Sequence, residues 1–253
     1  EPLAIQGEGL RFVANALTDR AAPARRIRRG SLVRIVELKP GQFEISQLPD
    51  VEAALVAINA TDGSVRAMVG GFDFSRNKFN RVTQAWRQPG SSFKPFIFAA
   101  ALEKGFLTSS IINDAPVQID PRRTGDKLWE PKNYDGRFEG PMTLREAMAK
   151  SKNMVSIRLI DAIGPHYAQA YVSRFGFDAE RHPPYLTMAL GAGSVTPMQM
   201  AAGYSVFANG GYRINPFLIT KVTDQSGKVL SEFTPPALDE SMRAVDARNA
   251  FVM

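Results

Sequence analysis

The sequence contains no cysteine, so disulfide bonds, a cysteine nucleophile and thiolate zinc ligands are all excluded. Histidine is scarce as well. The chain has only His166 and His182, each next to a proline, and neither lies in a metal-ligand spacing or in a recognisable Ser-His-Asp pattern. The sequence therefore predicts that the protein uses neither a metal ion nor a cofactor.

Long hydrophobic runs are also missing. The longest, Pro95 to Leu102, falls well short of the roughly 18 apolar residues that a membrane-spanning helix needs. The first 29 residues are polar and rich in arginine, unlike a secretory signal sequence. We therefore expect any membrane anchor to lie outside this sequence.

Basic residues outnumber acidic ones, 31 to 25, which gives a net charge of +6. Five arginines are concentrated in a short stretch, at positions 20, 25, 26, 28 and 29. Such a stretch could attract an anionic partner, although a solvated linker or strand face is the more common explanation. No aromatic residues alternate with these arginines, so the pattern does not indicate a nucleic-acid partner.

The 253 residues, 44% of them hydrophobic, suit one sizeable domain with a small appendage. Residues 1–49 are predicted to be a small leading β module. In it, Leu32–Leu38 and Gln42–Leu48 form a hairpin around Lys39-Pro40-Gly41. The second domain is predicted to cover residues 50–253.

The second domain is expected to contain strands first, then mostly helices, then a hairpin, which defines an α+β fold. The predicted strands are 54–60, 65–69, 219–223 and 228–233; the predicted helices are 91–104, 144–150, 154–163 and 197–208. Thr143 and Glu146 have the spacing of a capping box ahead of the second helix.

Ser91-Ser92-Phe93-Lys94 is an S-x-x-K motif at the start of a predicted helix. Three helical residues turn by about 300°, so Ser91 and Lys94 share a face, whereas Ser92 points elsewhere. Ser91 is therefore the candidate nucleophile. Lys94 is the candidate base, provided that burial or a nearby cation lowers its pKa. The motif alone is weak evidence, because a serine here is also a common helix N-cap.

Ser151-Lys152-Asn153 lies between two predicted helices. A loop there can direct a hydroxyl and an amide into the same cleft. Ser151 could relay a proton, and Asn153 could hold a substrate backbone through its paired donor and acceptor. Alone, the tripeptide is also compatible with an ordinary polar loop.

The ordered pair of motifs resembles the signature of serine β-lactamases and penicillin-binding proteins. Residues 87–96 resemble the nucleophile segment of class A (bifunctional) penicillin-binding proteins, in detail those of the 1A type. Residues 70–74, 79–81, 129–134 and 191–199 are similar to further stretches of that family. The resemblance runs from about Gln47 to about Phe233.

This resemblance implies a penicillin-binding transpeptidase-like fold, with an antiparallel sheet, a helical subdomain and the end of an OB-like β domain in front. It implies a serine D,D-transpeptidase that cross-links peptidoglycan stem peptides through an acyl-enzyme on Ser91. Stem peptides of lipid II-derived strands and β-lactam antibiotics would be its partners. A membrane anchor and a glycosyltransferase domain outside the chain, and a location on the periplasmic face of the inner membrane, follow from the same resemblance.

The sequence departs from the family pattern in several places. The middle motif has Lys152 where the signature has aspartate, and no K-[ST]-G follows Asn153. Arg123-Thr124-Gly125 precedes Ser151 and is interpreted as a chance match. We therefore expect the sequence to stop before the third-motif strand and to be a fragment. A serine β-lactamase, with Glu180 as the candidate water-positioning residue, and a non-catalytic interaction module stay open as alternatives.

Overall fold

The structure, a computed structural model, describes residues 3–49, 51–120 and 129–253. The chain divides into two units, Glu1–Glu52 and Ala53–Met253. The expected boundary at Pro49 lies a little before this division. That the first unit belongs to an OB-like domain stays a prediction.

The first unit contains a long 3-10 helix, Gly7–Leu17, and an antiparallel hairpin of β1 (Arg34–Lys39) and β2 (Gln42–Ser46). The predicted hairpin is confirmed, with somewhat shorter strands. Gly41 takes a φ of +77° at its turn, a conformation that favours glycine. Val13 and Ile45 are the buried apolar side chains of this small unit.

The second unit contains six short strands and seven helices in its described part. The strands are β3 (Leu55–Ile58), β4 (Val65–Val69), β5 (Ile111–Asp114), β6 (Gly140–Thr143), β7 (Lys221–Thr223) and β8 (Val229–Glu232). The helices are α1 (Arg81–Gln84), α2 (Lys94–Glu103), α3 (Leu144–Ala149), α4 (Asn153–Ile163), α5 (Pro165–Ser173), α6 (Pro197–Ala208) and α7 (Ala247–Val252).

The strands pair as β3–β4, β5–β6 and β7–β8, all antiparallel. The predicted strands 54–60 and 65–69 are therefore confirmed and pair with each other, the predicted final hairpin is confirmed, and so is the α+β class. Within the described ranges the strands form separate two-stranded sheets, where a single antiparallel sheet was expected. The β5–β6 pair was not predicted, because its partners lie far apart in sequence and β6 contains glycine and proline, which disfavour strands.

Helix α2 lies at the centre of the second unit. Its residues from Lys94 to Ala101 are all buried, and it packs against α3, α4, α5 and α7. A helix that is apolar on every side is stable only when it is surrounded in this way. Its first turn carries Lys94, so the fold places a lysine where water is excluded.

Two helix boundaries differ from the sequence prediction. A 3-10 turn, Gly90–Phe93, precedes α2, so the α-helix starts at Lys94 and not at Ser91. Gly164-Pro165 ends α4 as predicted, but Pro165 also begins α5, because proline is favoured at the first helical position. The predicted capping box at Thr143 and Glu146 is confirmed.

In the described part of the chain, every helix is too short or too polar to cross a bilayer.

An aromatic cluster surrounds Phe96 on α2, and its loss should destabilise the second unit. Phe96 is fully buried, with the rings of Phe175, Phe177, Tyr204 and Phe207 at centroid distances of 4.8–5.4 Å. We expect Phe96→Ala to lower the free energy of unfolding by about 3–5 kcal/mol, because it removes buried surface and leaves a cavity. Urea denaturation monitored by circular dichroism measures this change.

The matched control is Phe74→Ala, since the Phe74 side chain is 73% exposed. This variant should stay within about 0.5 kcal/mol of wild type. Equal losses in the two variants would show that the cluster does not stabilise the unit.

Candidate active site

The turn that carries Ser91, residues 89–93, lies at the start of α2. Gly90 has a φ of +58°, and Ser91 follows it on the exposed side of the 3-10 turn. In a 3-10 turn, residues three apart eclipse each other, so Ser91 and Lys94 stay on one face although the α-helix begins later than predicted. The Ser92 hydroxyl instead donates to Pro89 O at 2.6 Å and closes its own turn.

Lys94 is buried, and neutral oxygens surround its amine. Its Nζ donates to Asn153 Oδ1 at 2.7 Å and to Ser151 O at 2.5 Å, and lies 3.1 Å from Ser151 Oγ. None of the carboxylates in the described ranges forms an ion pair with it. Burial without a compensating negative charge lowers the pKa of Lys94 from 10.5 to about 8. The neutral, basic form of this amine is therefore accessible near neutral pH.

Ser151 and Asn153 reach Lys94 because the chain turns sharply between α3 and α4. Ser151 has a φ of +54°, and it is the one non-glycine residue with positive φ in the part of the chain that the structure describes. Ser151 N donates to Met148 O, and Lys152 N donates to Ala147 O, which closes the end of α3. Asn153 then begins α4, and its Nδ2 also donates to Lys132 O at 2.7 Å.

Ser91, Ser151 and Asn153 line one cleft of about 700 Å³, together with Lys132, Tyr134 and Glu139. The structure thus brings all four predicted site residues together: Ser91, Ser151 and Asn153 border the open space, and the buried Lys94 contacts the last two through its amine. The Asn153 side-chain amide has two N–H donors. One donates to Lys132 O, and Lys94 donates to the amide oxygen, so the second N–H is available to a ligand. The arrangement brings a hydroxyl and an amide to one cleft, next to an amine of lowered pKa.

Sequence reasoning missed the residues that hold the Ser-Lys-Asn tripeptide in place. Asn133 is buried, and its Oδ1 accepts from Asn153 N at 2.9 Å, at the start of α4. Asn133 Nδ2 donates to Asp114 Oδ1 at 2.7 Å. No local sequence pattern marks Asp114 or predicts a role for Asn133. The one available signal is the similarity of residues 129–134 to the family, which points to that stretch but not to its contact with Asn153.

Residues that are distant in sequence also support the turn of residues 89–93. Phe93 stacks on the His182 ring with centroids 4.7 Å apart and planes 7° apart. Tyr204 donates from its hydroxyl to Ser92 O at 2.8 Å. Gly191 lies so close to Gly90 that an added Cβ would be 2.2 Å from Gly90 O. The 191–199 stretch therefore packs directly against the turn that carries Ser91.

Other sequence predictions concern residues outside the cleft lining. Glu180 is exposed on a short 3-10 turn and does not border the cleft. Arg123-Thr124-Gly125 lies outside the described residues. Among the residues that are described, no group of three or more histidines or carboxylates is placed to hold a metal ion.

The chain belongs to the penicillin-binding protein transpeptidase domain family, which matches residues 53–250. Its relatives include penicillin-binding protein 1A of Neisseria flavescens, 47% identical over 250 residues that cover 98% of this chain and 31% of that protein. Penicillin-binding protein 1A of Pseudomonas aeruginosa is 43% identical over 90% of this chain and 28% of its own length. The chain thus spans less than a third of these relatives. The predicted resemblance to the 1A type is confirmed.

Solved structures support the same assignment. Penicillin-binding protein 1A from Haemophilus influenzae is similar to this chain with a TM-score of 0.75 and 43% identity, over 80% of this chain and 30% of that one. The PonA1 protein from Mycobacterium tuberculosis in complex with penicillin V has a TM-score of 0.65 and 26% identity, over 79% of this chain and 55% of that one. The predicted transpeptidase-like fold is confirmed.

His182 should make the second unit sensitive to acid. The ring is 1% exposed, and neither nitrogen has a hydrogen-bond partner within the described ranges. Burial lowers the pKa of His182 below its ordinary value of 6.5, and Asp178 opposes this shift only in part. Below about pH 6.5 the unfolded chain therefore binds a proton that the folded chain does not, and stability falls by up to about 1.4 kcal/mol per pH unit.

We expect His182→Leu to flatten the dependence of the free energy of unfolding on pH between 6.5 and the lowered pKa. Urea titrations at several pH values measure this slope, which is the readout because the substitution also changes packing. His166→Leu, at an exposed histidine, is the matched control. An unchanged slope in His182→Leu would exclude His182 as the source of acid sensitivity.

Proposed function

We propose that this chain carries the acylation centre of a serine D,D-transpeptidase that cross-links peptidoglycan stem peptides. The observation that carries the proposal is the buried Lys94 amine, held by Ser151 and Asn153 in the cleft that Ser91 borders. Membership in the family supports the reaction class, and the solved complex of PonA1 with penicillin V supports β-lactams as ligands.

In the acylation step, Ser91 Oγ attacks the carbonyl carbon of the penultimate D-Ala. Neutral Lys94 takes the hydroxyl proton, directly or through Ser151 Oγ, which lies 3.1 Å from its amine. The peptide C–N bond breaks, the terminal D-Ala leaves with that proton on its nitrogen, and an ester to Ser91 forms. An amine from a neighbouring stem peptide then attacks the ester, so that a new amide forms and the serine hydroxyl is regenerated.

Asn153 is proposed to hold the donor peptide through its remaining amide N–H. By analogy with the 1A-type relatives, we further propose that the chain acts within a bifunctional cell-wall synthase with a glycosyltransferase domain. Its place would be the periplasmic face of the inner membrane, and lipid II-derived strands would supply its substrates. A β-lactam would acylate Ser91 through opening of its ring amide and remain attached.

Among the alternatives, the serine β-lactamase requires a carboxylate that positions the deacylating water. Glu180, the sequence candidate for this role, is exposed and away from the cleft lining. No observation favours a non-catalytic module over an enzyme, because the buried base and the nucleophile lie at one site. The transpeptidase is therefore the function that the geometry supports best.

The first test is intact-mass spectrometry after incubation with a penicillin. The protein, as the organism makes it, should gain the full mass of the drug and keep it for hours. Ser91→Ala should show no adduct. Ser92→Ala is the matched control and should still be acylated, because the Ser92 hydroxyl is bound to Pro89 O within its own turn.

An adduct on Ser91→Ala would place the nucleophile elsewhere. Rapid loss of the adduct with release of hydrolysed drug would favour the β-lactamase. Absence of any adduct on the wild-type protein would contradict the proposal as a whole.

The second test is the pH dependence of acylation. With a pKa of about 8 for Lys94, about 9% of the amine is neutral at pH 7, against about 0.03% for an ordinary lysine. The second-order acylation rate constant should therefore rise with pH and level off above about 8. Lys94→Arg should lower the rate constant by about 100-fold or more and abolish this dependence, because arginine stays protonated.

Stopped-flow or competition kinetics with a fluorescent penicillin measure this profile. Circular dichroism of the Lys94→Arg variant at each pH controls for unfolding. A wild-type rate constant that is flat between pH 6 and 9 would show that Lys94 does not act as the base.

A further inference from the structure

Lys152, the middle residue of the Ser-Lys-Asn tripeptide, has different partners from its two neighbours. Ser151 and Asn153 contact Lys94, whereas the Lys152 side chain is only 4% exposed and contacts carboxylates. Its Nζ lies 2.7 Å from Glu139 Oε1, 3.3 Å from Asp114 Oδ2 and 3.7 Å from Asp135 Oδ2. Lys152 stays protonated in these surroundings, because loss of its proton would leave the buried Asp114 carboxylate without a compensating positive charge.

Asp114 is the buried centre of this group. Its side chain is fully inaccessible, and Oδ2 also accepts from Glu139 N at 3.0 Å. Its other oxygen accepts from Asn133 Nδ2 at 2.7 Å, and Asn133 Oδ1 in turn accepts from Asn153 N at 2.9 Å. A continuous chain of contacts therefore connects Asp114 on β5 to the start of α4, where Asn153 binds Lys94.

The same contacts keep the charged side chains around Lys152 apart from the Lys94 amine. Asp114, Asp135 and Glu139 surround Lys152, and Lys150 at the end of α3 pairs with Glu139 from the solvent side at 2.5 Å. The two lysines therefore offset two of the three negative charges in the group, while the Lys94 amine is bound by neutral oxygens of Ser151 and Asn153. If Lys152 were neutral, a second carboxylate would be left uncompensated, one residue from both ligands of Lys94.

We propose that Lys152 and Asp114 are positioning residues of the acylation reaction, which fix Ser151 and Asn153 against Lys94 and set the amount of negative charge near its amine. Neither residue contacts the reacting atoms. This inference rests on the proposed function, because it assigns a role to residues that act through the base Lys94.

The charge balance gives two substitutions effects of opposite sign. Lys152→Met removes one of the two positive charges of the group, and the additional net negative charge favours the ammonium form of Lys94. The midpoint of the acylation pH profile should therefore rise by roughly half a unit to one unit. Asp114→Asn removes one negative charge with little change of shape, so the midpoint should fall by a similar amount. If both residues had a purely structural role, the two substitutions would not shift the midpoint in opposite directions.

The experiment measures penicillin acylation rate constants from pH 6 to 10 for both variants, with melting temperatures at each pH. Lys152→Arg, which keeps the charge, should retain the wild-type midpoint. Lys150→Met is the matched control: this lysine pairs with the same Glu139, but its side chain is 48% exposed. Solvent screens that pair, so the midpoint should move by less than about 0.2 units.

The Ser91 adduct on the wild-type protein is checked first, and its absence would refute the proposed function and not this inference alone. With the adduct present, midpoints that do not move, or that move in the same direction in both variants, would overturn the inference. If only one variant folds, a shift of its midpoint in the predicted direction supports the inference, and a shift in the other direction overturns it. If neither folds, Lys152 and Asp114 serve folding alone and the inference is wrong.

Discussion

The site depends on one interaction, the burial of the Lys94 amine against uncharged oxygens. Water is excluded because α2 is apolar on every side and passes through the middle of the second unit. A carboxylate beside the amine would hold it in the protonated form, and full exposure would leave its pKa near 10.5. The central position of α2 is therefore a requirement for a lysine that can act as a base.

The described part of the second unit contains two buried lysines with opposite surroundings, Lys94 and Lys152, and the same tripeptide takes part in both. Burial dominates for Lys94 and lowers its pKa to about 8. For Lys152, the bond to Glu139 and the pairing with Asp114 outweigh burial and raise its pKa. Lys152, with φ −70° and ψ 121°, lies between the left-handed Ser151 and the helical Asn153. Its side chain contacts carboxylates, whereas the side chains of its two neighbours contact Lys94, so this turn separates the charged contacts from the neutral ones.

The sequence predicted the parts of the site that are local in the chain. Ser91 and Lys94 are three residues apart at the start of a helix, and Ser151 and Asn153 lie in one short connection between two helices, so each pair could be predicted from neighbouring residues. Asp114 and Asn133 could not be found in this way, because they reach the tripeptide only through the β5–β6 pairing and the loop before it. The start of α2 was predicted three residues early, since the sequence does not distinguish a 3-10 turn from the α-helix it precedes.

The left-handed backbone conformation of Ser151 is a local strain that the surrounding structure has to stabilise. A positive φ at a residue with a Cβ costs about 1 kcal/mol or more, and glycine would fit this position without strain. Glycine lacks the hydroxyl that lies 3.1 Å from the Lys94 amine, so the proposed proton relay through Ser151 requires a residue that the backbone disfavours. The strain is held by backbone bonds to the end of α3 on one side and by Lys152 and Asn133 on the other. Strained residues persist where their surroundings over-determine them, and here these surroundings include Asn133, which reaches the tripeptide only through the fold.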